Sequence, residues 1–223
     1  MKRFIYLLVF TLFITSFQVH SQNRGRDTYN RLGLQGGLTY GGLNTKNFNT
    51  TNKLGYFAGF TTRANYYNNL IILYGVNFFE FNTGMSVMQS MASEAQEIDF
   101  KASGVQLNLF IGQKLIGEHL SVEVGPILQV NSKLKTDEQY KEYYMEGYGI
   151  KAEDLEDITK INFNVAAMVS SGFKSVKFWA QYQYGITNTF GNLDEEVIKN
   201  KDSRITNLNA HLGLASAGVV FYF

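Results

Sequence analysis

Apolar and polar residues alternate with a period of two along most of the chain beyond position 30, as in β-strands that bury one face. Eight segments show this pattern: 31–40, 55–66, 70–81, 102–115, 119–131, 160–171, 176–186 and 209–223. Each has about the 9 to 11 residues that a tilted strand needs to cross a bilayer, or slightly more. Since no later apolar run approaches the roughly 20 residues of a spanning helix, any membrane span must be made of strands.

The connections between these segments alternate in length. Connections 67–69, 116–118 and 172–175 are tight, whereas 41–54, 82–101, 132–159 and 187–208 are long. In an antiparallel barrel, alternate connections lie at the same end, so all the long ones gather on one side. The sequence therefore predicts an all-β, closed antiparallel transmembrane barrel of eight strands, with short periplasmic turns and long external loops.

The two faces of the predicted strands differ in polarity. One face is apolar and uncharged, as at Leu38, Phe60 and Leu109, whereas the other carries amides together with Arg63 and Glu123. A basic residue that faces lipid costs roughly 2 to 4 kcal/mol at mid-bilayer. We therefore expect the polar face to point into the barrel. A soluble barrel with an apolar ligand cavity, the alternative, needs the opposite arrangement.

The last segment does not keep one parity. Leu212 and Leu214 occupy even positions, whereas Val219, Phe221 and Phe223 occupy odd ones. The small-residue run 215–218 between them predicts a β-bulge, or a strand that begins late.

Residues 1–21 resemble a cleaved secretory signal, with a short cationic start, an apolar stretch over 4–17 and a small-residue end. The expected mature domain is 22–223. It has no cysteine, hence no lipid attachment, disulfide or thiolate metal site. Without Lys2 and Arg3 it has 18 basic and 19 acidic residues, which argues against a nucleic-acid partner.

The polar face predicts a hydrogen-bonded network in the lumen. Its candidate members are Arg63, Glu123, Gln106, Asn108 and Gln181. Eight strands enclose a space just wide enough for side chains to fill, which favours a plug. A small channel for ions or solutes is the alternative. An unpaired charge in a dry lumen is costly, so we expect Arg63 to pair with Glu123.

One long connection contains three methionines with helical spacing, Met85, Met88 and Met91. This spacing predicts a short helix on the barrel rim. Methionine is adaptable, so the stripe is also a candidate surface for a partner.

A second long connection contains Tyr140, Tyr143 and Tyr144 after a capping-box sequence at 136–139. We expect a helical turn there, and tyrosines on an external loop suit protein recognition. A solvated loop without a partner fits the same residues.

No sequence motif for catalysis, phosphate binding or a metal is present. Asp154, Glu156 and Asp157 lack the ligand spacing of a calcium loop. An enzyme would need His211 near Asp202 and Ser203. The sequence contains these residue types, but no motif indicates that they come together. We therefore predict no enzyme activity, no cofactor and no metal site.

Several motifs are similar to those of the PorT-type, porin-like outer-membrane β-barrel family of the Bacteroidota. They are SQ at 21–22, EVGP at 123–126, WAQYQYGI at 179–186 and VFYF at 220–223. Many such proteins carry an arginine in the seventh strand where this chain has Gln181.

This resemblance implies a Gram-negative outer-membrane location and insertion by the barrel assembly machinery, with Phe221 and Phe223 in the final strand as the signal. Some family members are linked to protein secretion. We expect a monomeric, non-catalytic barrel in contact with outer-membrane lipids, with a structural role or a protein partner at its external loops.

Overall fold

A computed structural model describes residues 30–67, 69–205 and 207–223. The predicted signal at 1–21 lies outside these residues. The strands are β1 (Asn30–Thr45), β2 (Thr50–Tyr67), β3 (Leu70–Met88), β4 (Gln96–Ile116), β5 (Leu120–Asn131), β6 (Tyr144–Met145), β7 (Ile161–Gly172), β8 (Val176–Gly185) and β9 (Ala210–Tyr222). One α-helix, α1 (Glu195–Lys201), and two 3₁₀ turns (Glu138–Tyr140 and Ala152–Leu155) lie between them.

Eight of these strands form a closed antiparallel ring in the order β1-β2-β3-β4-β5-β7-β8-β9, with β9 paired to β1. The two-residue β6 pairs only with the end of β3. This confirms the predicted eight-stranded barrel. Among the described residues, no helix is long and apolar enough to cross a membrane.

The two ends of the barrel are unequal, as the sequence predicts. Connections 68–69, 117–119 and 173–175 define the turn end, and 46–49, 89–95, 132–160 and 186–209 define the loop end. Two of the predicted long loops, 41–54 and 82–101, are largely strand. The β1–β2 and β3–β4 pairs continue past the predicted strand ends, so their backbone groups stay hydrogen-bonded.

Large apolar side chains cover the outside of the ring. Leu107, Leu109 and Ile111 of β4 are each about half exposed, while Gln106 and Phe110 on the opposite face are buried. The same pattern occurs around the ring, and we call these outward apolar side chains the belt: Leu34, Leu38, Phe60, Tyr74, Phe78, Val122, Val124, Phe163, Val165, Phe178, Tyr182 and Phe221. The polar face points inward, as predicted.

The polarity of β4 reverses toward the loop end although its alternation does not. Glu97, Asp99 and Lys101 point outward on the same side of the strand as Leu107. Ile98 and Phe100 point inward, on the side of Gln106, and are buried. Above the belt the barrel wall is therefore polar outside and apolar inside, like that of a soluble protein.

The same reversal explains the last strand. β9 pairs with β1 and β8 in an unbroken register from Ala210 to Tyr222, so the predicted bulge or late start is wrong. Leu212 and Leu214 are buried inside the barrel, whereas Phe221 is exposed in the belt and Phe223 is exposed just past the strand. Their parities differ because the apolar side chains face the interior near the loop end and the outside of the ring near the turn end.

Candidate functional site

A buried ion pair occupies the lumen near the turn end. Arg63 of β2 lies 3.2 Å from Glu123 of β5, and both side chains are almost fully buried. Ser121 and Ser170 complete the cluster: Arg63 Nη2 donates to Ser121 Oγ at 2.7 Å, and the Ser121 and Ser170 hydroxyls donate to Glu123 Oε1 at 2.6 and 2.8 Å. The predicted pairing of Arg63 with Glu123 is present.

Further charged groups continue from this pair to the turn end. Lys177 of β8 is fully buried and donates to the main-chain carbonyl of Glu118. Lys114 forms an ion pair with the Glu118 side chain, and Arg31 donates to the Lys174 carbonyl. These contacts close the lumen at the turn end with charged side chains.

A second polar layer, made of amides, crosses the lumen closer to the loop end. Gln129 Oε1 is at its centre and accepts hydrogen bonds from Gln106, Asn164 and Gln183 at 2.9, 3.0 and 3.1 Å. Gln129 Nε2 in turn donates to Asn131 Oδ1 at 2.7 Å. This layer links the four adjacent strands β4, β5, β7 and β8 inside the barrel.

The predicted network thus separates into two layers. Arg63 and Glu123 belong to the first and Gln106 to the second, while Asn108 and Gln181 line a cavity between the two. The prediction did not single out Ser121 or Gln129, which are central to their layers. Their signal in the sequence was parity, because both lie an even number of residues from Glu123 and so share its face.

The cavity between the layers has a volume of about 30 Å³. Its lining includes Trp179 of β8, whose ring packs 4.8 Å from that of Phe57. A buried water needs roughly 10 to 15 Å³, so the cavity has room for about two water molecules. That is far less than a continuous column of water through the barrel.

The loop end is closed by a folded apolar unit that we call the cap. Among the described residues it comprises 132–160, 186–205, 207–209 and the ends of β3 and β4. Its buried apolar side chains include Phe81, Met85, Val87, Ile98, Phe100, Leu134, Met145, Ile150, Leu155, Phe190, Leu193 and Ile198. Main-chain hydrogen bonds join the cap to the strands, for example from Asn131 N to Lys160 O and from Thr189 N to Ala210 O.

Asp202 joins the two cap loops. Its carboxylate accepts hydrogen bonds from Arg204 Nη2 at 2.6 Å and from the Gly149 N–H at 2.8 Å. These bonds, first that of Arg204 and then that of Gly149, hold the pKa of the Asp202 carboxyl well below its usual range. Arg204 also lies 5.6 Å from the ring centre of Tyr148, across the same junction.

The methionines do not form the predicted rim helix. Met85 and Met88 belong to β3, where Met88 pairs with Tyr144 of β6. Met85 is fully buried, whereas Met91 is exposed in the β3–β4 connection. The reason is that Met85, Val87, Ile98 and Phe100 are inward residues of paired strands, and their alternation continues beyond the belt.

The tyrosine region folds more tightly than predicted. Glu138–Tyr140 is a single 3₁₀ turn after Asp137, without a side-chain capping hydrogen bond. Tyr140 and Tyr143 are half-buried, and their rings meet edge to face at 5.3 Å. Tyr144 is half-buried in β6. All three therefore present only part of their surface to solvent.

The residues of the hypothetical triad are engaged elsewhere. His211 Nδ1 lies 2.9 Å from the Gly185 carbonyl, and its ring stacks on Tyr184. Asp202 binds Arg204 and Gly149 as described. Within the described ranges, no three His, Asp or Glu side chains are grouped so that they would hold a metal ion.

No family model and no curated protein sequence matches this chain. Among solved structures, Neisserial surface protein A (NspA) is similar with a TM-score of 0.51 and 16% identity, over 86% of this chain and 97% of that one. Ail, the attachment invasion locus protein of Yersinia pestis, in complex with the heparin analogue sucrose octasulfate, gives 0.50 and 11%, over 87% and 99%. At these identities the likeness shows the fold alone, that of an eight-stranded outer-membrane barrel.

Proposed function

We propose that this chain is an integral protein of a Gram-negative outer membrane, with a closed lumen and a cap that forms its functional surface. The observation that carries the proposal is the double closure of the interior by the charged cluster and the amide layer, with the cap above them. The belt supports a membrane location, because its large apolar side chains are exposed all around the ring. In this orientation the turn end is periplasmic and the loop end external.

Binding at the cap is the activity that this arrangement favours. Strands hold the cap rigidly through hydrogen bonds and a shared apolar core, as a recognition surface requires. We propose a protein partner there, with exposed Met91 and the accessible edges of Tyr140, Tyr143 and Tyr144 as contact candidates. Met85 and most of Met88 are covered by the fold and contribute to the cap rather than to its surface.

The finer assignments rest on the resemblance noted from the sequence. They are membership of the PorT-type family, an accessory role in protein secretion, and recognition of Phe221 and Phe223 by the assembly machinery. Phe221 lies in the belt and Phe223 follows it, exposed, with the Phe223 N–H donating to the Leu32 carbonyl at 2.9 Å. Phe223 is thus paired at the turn end, where such a signal would be read. A monomer fits the closed ring, which leaves no unpaired strand edge.

Conductance in planar lipid bilayers tests the closed lumen directly. The purified barrel should insert without steady single-channel steps, because the cavity holds only about two water molecules. A general diffusion porin in the same bilayer is the positive control. Reproducible steps from this protein would support the alternative, a small channel.

A further inference from the structure

Two lysines lie directly opposite each other just above the belt. Lys101 of β4 and Lys135 of the cap exchange main-chain hydrogen bonds, Lys101 N to Lys135 O at 2.7 Å and Lys135 N to Lys101 O at 2.8 Å. Residues that exchange both bonds have Cα atoms about 5.5 Å apart and side chains on the same face. Both side chains are exposed, so two ammonium groups share one small patch of the outer wall.

No carboxylate within the described residues forms an ion pair with either lysine. Of the neighbouring acids, Asp99 lies 3.2 Å from Lys53 and Asp157 lies 2.8 Å from Lys133. Asp137, two residues beyond Lys135, is exposed and forms no ion pair within the described residues. Like charges placed directly opposite each other in a sheet are destabilising. The pair therefore carries an unfavourable interaction that an anion between the two ammonium groups would relieve.

The position of the pair along the barrel indicates where that anion lies. From the lysine pair toward the belt, the next outward residues are Ser103 and Ser132, which are hydrogen-bonded neighbours. After them come Val105 and Val130, which pair at the edge of the belt. Lys101 is four residues above Val105, about 10 Å along the barrel axis for a strand tilted by roughly 40°. A lysine side chain can extend downward by several ångströms, which brings its ammonium group to the headgroup layer.

We propose that Lys101 and Lys135 together bind the phosphate of an anionic outer-leaflet lipid. Two lysine ammonium groups on one face, each with three rotatable donors, can donate to different oxygens of one phosphate. The site would hold the barrel at a defined depth, with the belt in hydrocarbon and the cap outside. This inference rests on the outer-membrane location and external loop end proposed above.

The test compares the folded barrel in vesicles of zwitterionic phosphatidylcholine with vesicles that also contain phosphatidylglycerol. The readout is the temperature at which the folded band is lost on a gel. The wild-type protein should gain stability from phosphatidylglycerol. Lys101→Gln and Lys135→Gln should each lose about 2 to 4 °C of that gain. In phosphatidylcholine alone they should be unchanged or more stable, because the repulsion is removed.

Lys46→Gln is the matched control, since Lys46 is exposed in the β1–β2 connection at the same end. It should keep the full gain. Equal gains in all variants would overturn the proposal and leave the lysines free for another partner, such as an acidic protein. If inorganic phosphate stabilises the wild type equally in phosphatidylcholine, the ligand is a free anion and the lipid assignment is wrong.

The vesicle experiment gives different results for a failure of the phosphate site and for a failure of the proposed membrane location. A protein that yields no folded, heat-sensitive band in either kind of vesicle would contradict the membrane barrel itself. A folded barrel whose stability is independent of lipid charge would contradict only the phosphate site.

Discussion

The belt and the loop end of this barrel have opposite polarity patterns along the same strands. Within the belt, β4 directs Leu107 and Leu109 outward and Gln106 inward, whereas nearer the loop end it directs Asp99 and Lys101 outward and Phe100 inward. The alternation never breaks, so the change is one of surroundings. Lipid accepts apolar side chains and excludes charge, whereas water does the reverse.

This difference changes how the interior is stabilised. Near the turn end, the lumen depends on hydrogen bonds among charged and polar side chains, such as those of Arg63 and Glu123 with Ser121 and Ser170. The cap depends on close packing of apolar side chains, aided by a few polar links such as Asp202. One interior is therefore sensitive to the loss of a partner and the other to the loss of volume.

The largest predicted effect comes from breaking the charged layer. Arg63→Ala leaves Glu123 buried without its cation and should lower the free energy of unfolding by about 3 to 5 kcal/mol. Urea unfolding in vesicles, followed by the fluorescence of Trp179, the chain's single tryptophan, measures it. The double variant Arg63→Met with Glu123→Met should lose much less, because no unpaired charge remains. Equal losses would show that the site matters by shape rather than by charge.

A second prediction concerns the position along β4 at which the outer surface changes from apolar to polar. Leu109→Arg, in the middle of the belt, should lower the free energy of unfolding by about 2 to 4 kcal/mol because the guanidinium faces hydrocarbon. Ser103→Arg lies on the same face of the same strand but above the belt, and should cost about 0 to 1 kcal/mol. The same urea titration compares the two. Similar costs would place the membrane boundary elsewhere on β4.

The smallest effect concerns the link within the cap. The pKa of Asp202 is lowered in the folded protein, so its contribution to stability is present above the unfolded value of about 3.9 and is lost as the pH falls toward the folded value. Proteolysis of the cap should therefore accelerate a few-fold below about pH 4 in the wild type. Asp202→Asn should show faster cleavage at neutral pH and little further change on acidification. Cleavage near the turn end is the internal control, and a similar acceleration there would indicate general acid unfolding.

Period-two alternation was sufficient to predict the eight barrel strands, their inner and outer faces, and the pairing of Arg63 with Glu123. It failed where the environment changed along a strand. The inward residue Met85 was assigned to a helical stripe, and the offset of Leu212 and Leu214 was assigned to a bulge or a late strand start. Both predictions were wrong because apolar residues were taken to face lipid along the whole length of a strand. The cap was not predicted because its core is assembled from residues far apart in the chain.

The sequence by itself determined the strand count, the antiparallel order and the side of each strand that faces the interior, because alternation and connection length are local properties. Only the tertiary structure decided how far each strand continues, which lumen groups meet, and where the outward side chains change from apolar to polar. Those features depend on what lies across the barrel or outside it. Strand β9 shows both contributions. Its alternation is evident in the sequence, but its partners and surroundings explain why Leu212 and Phe221 point in opposite directions.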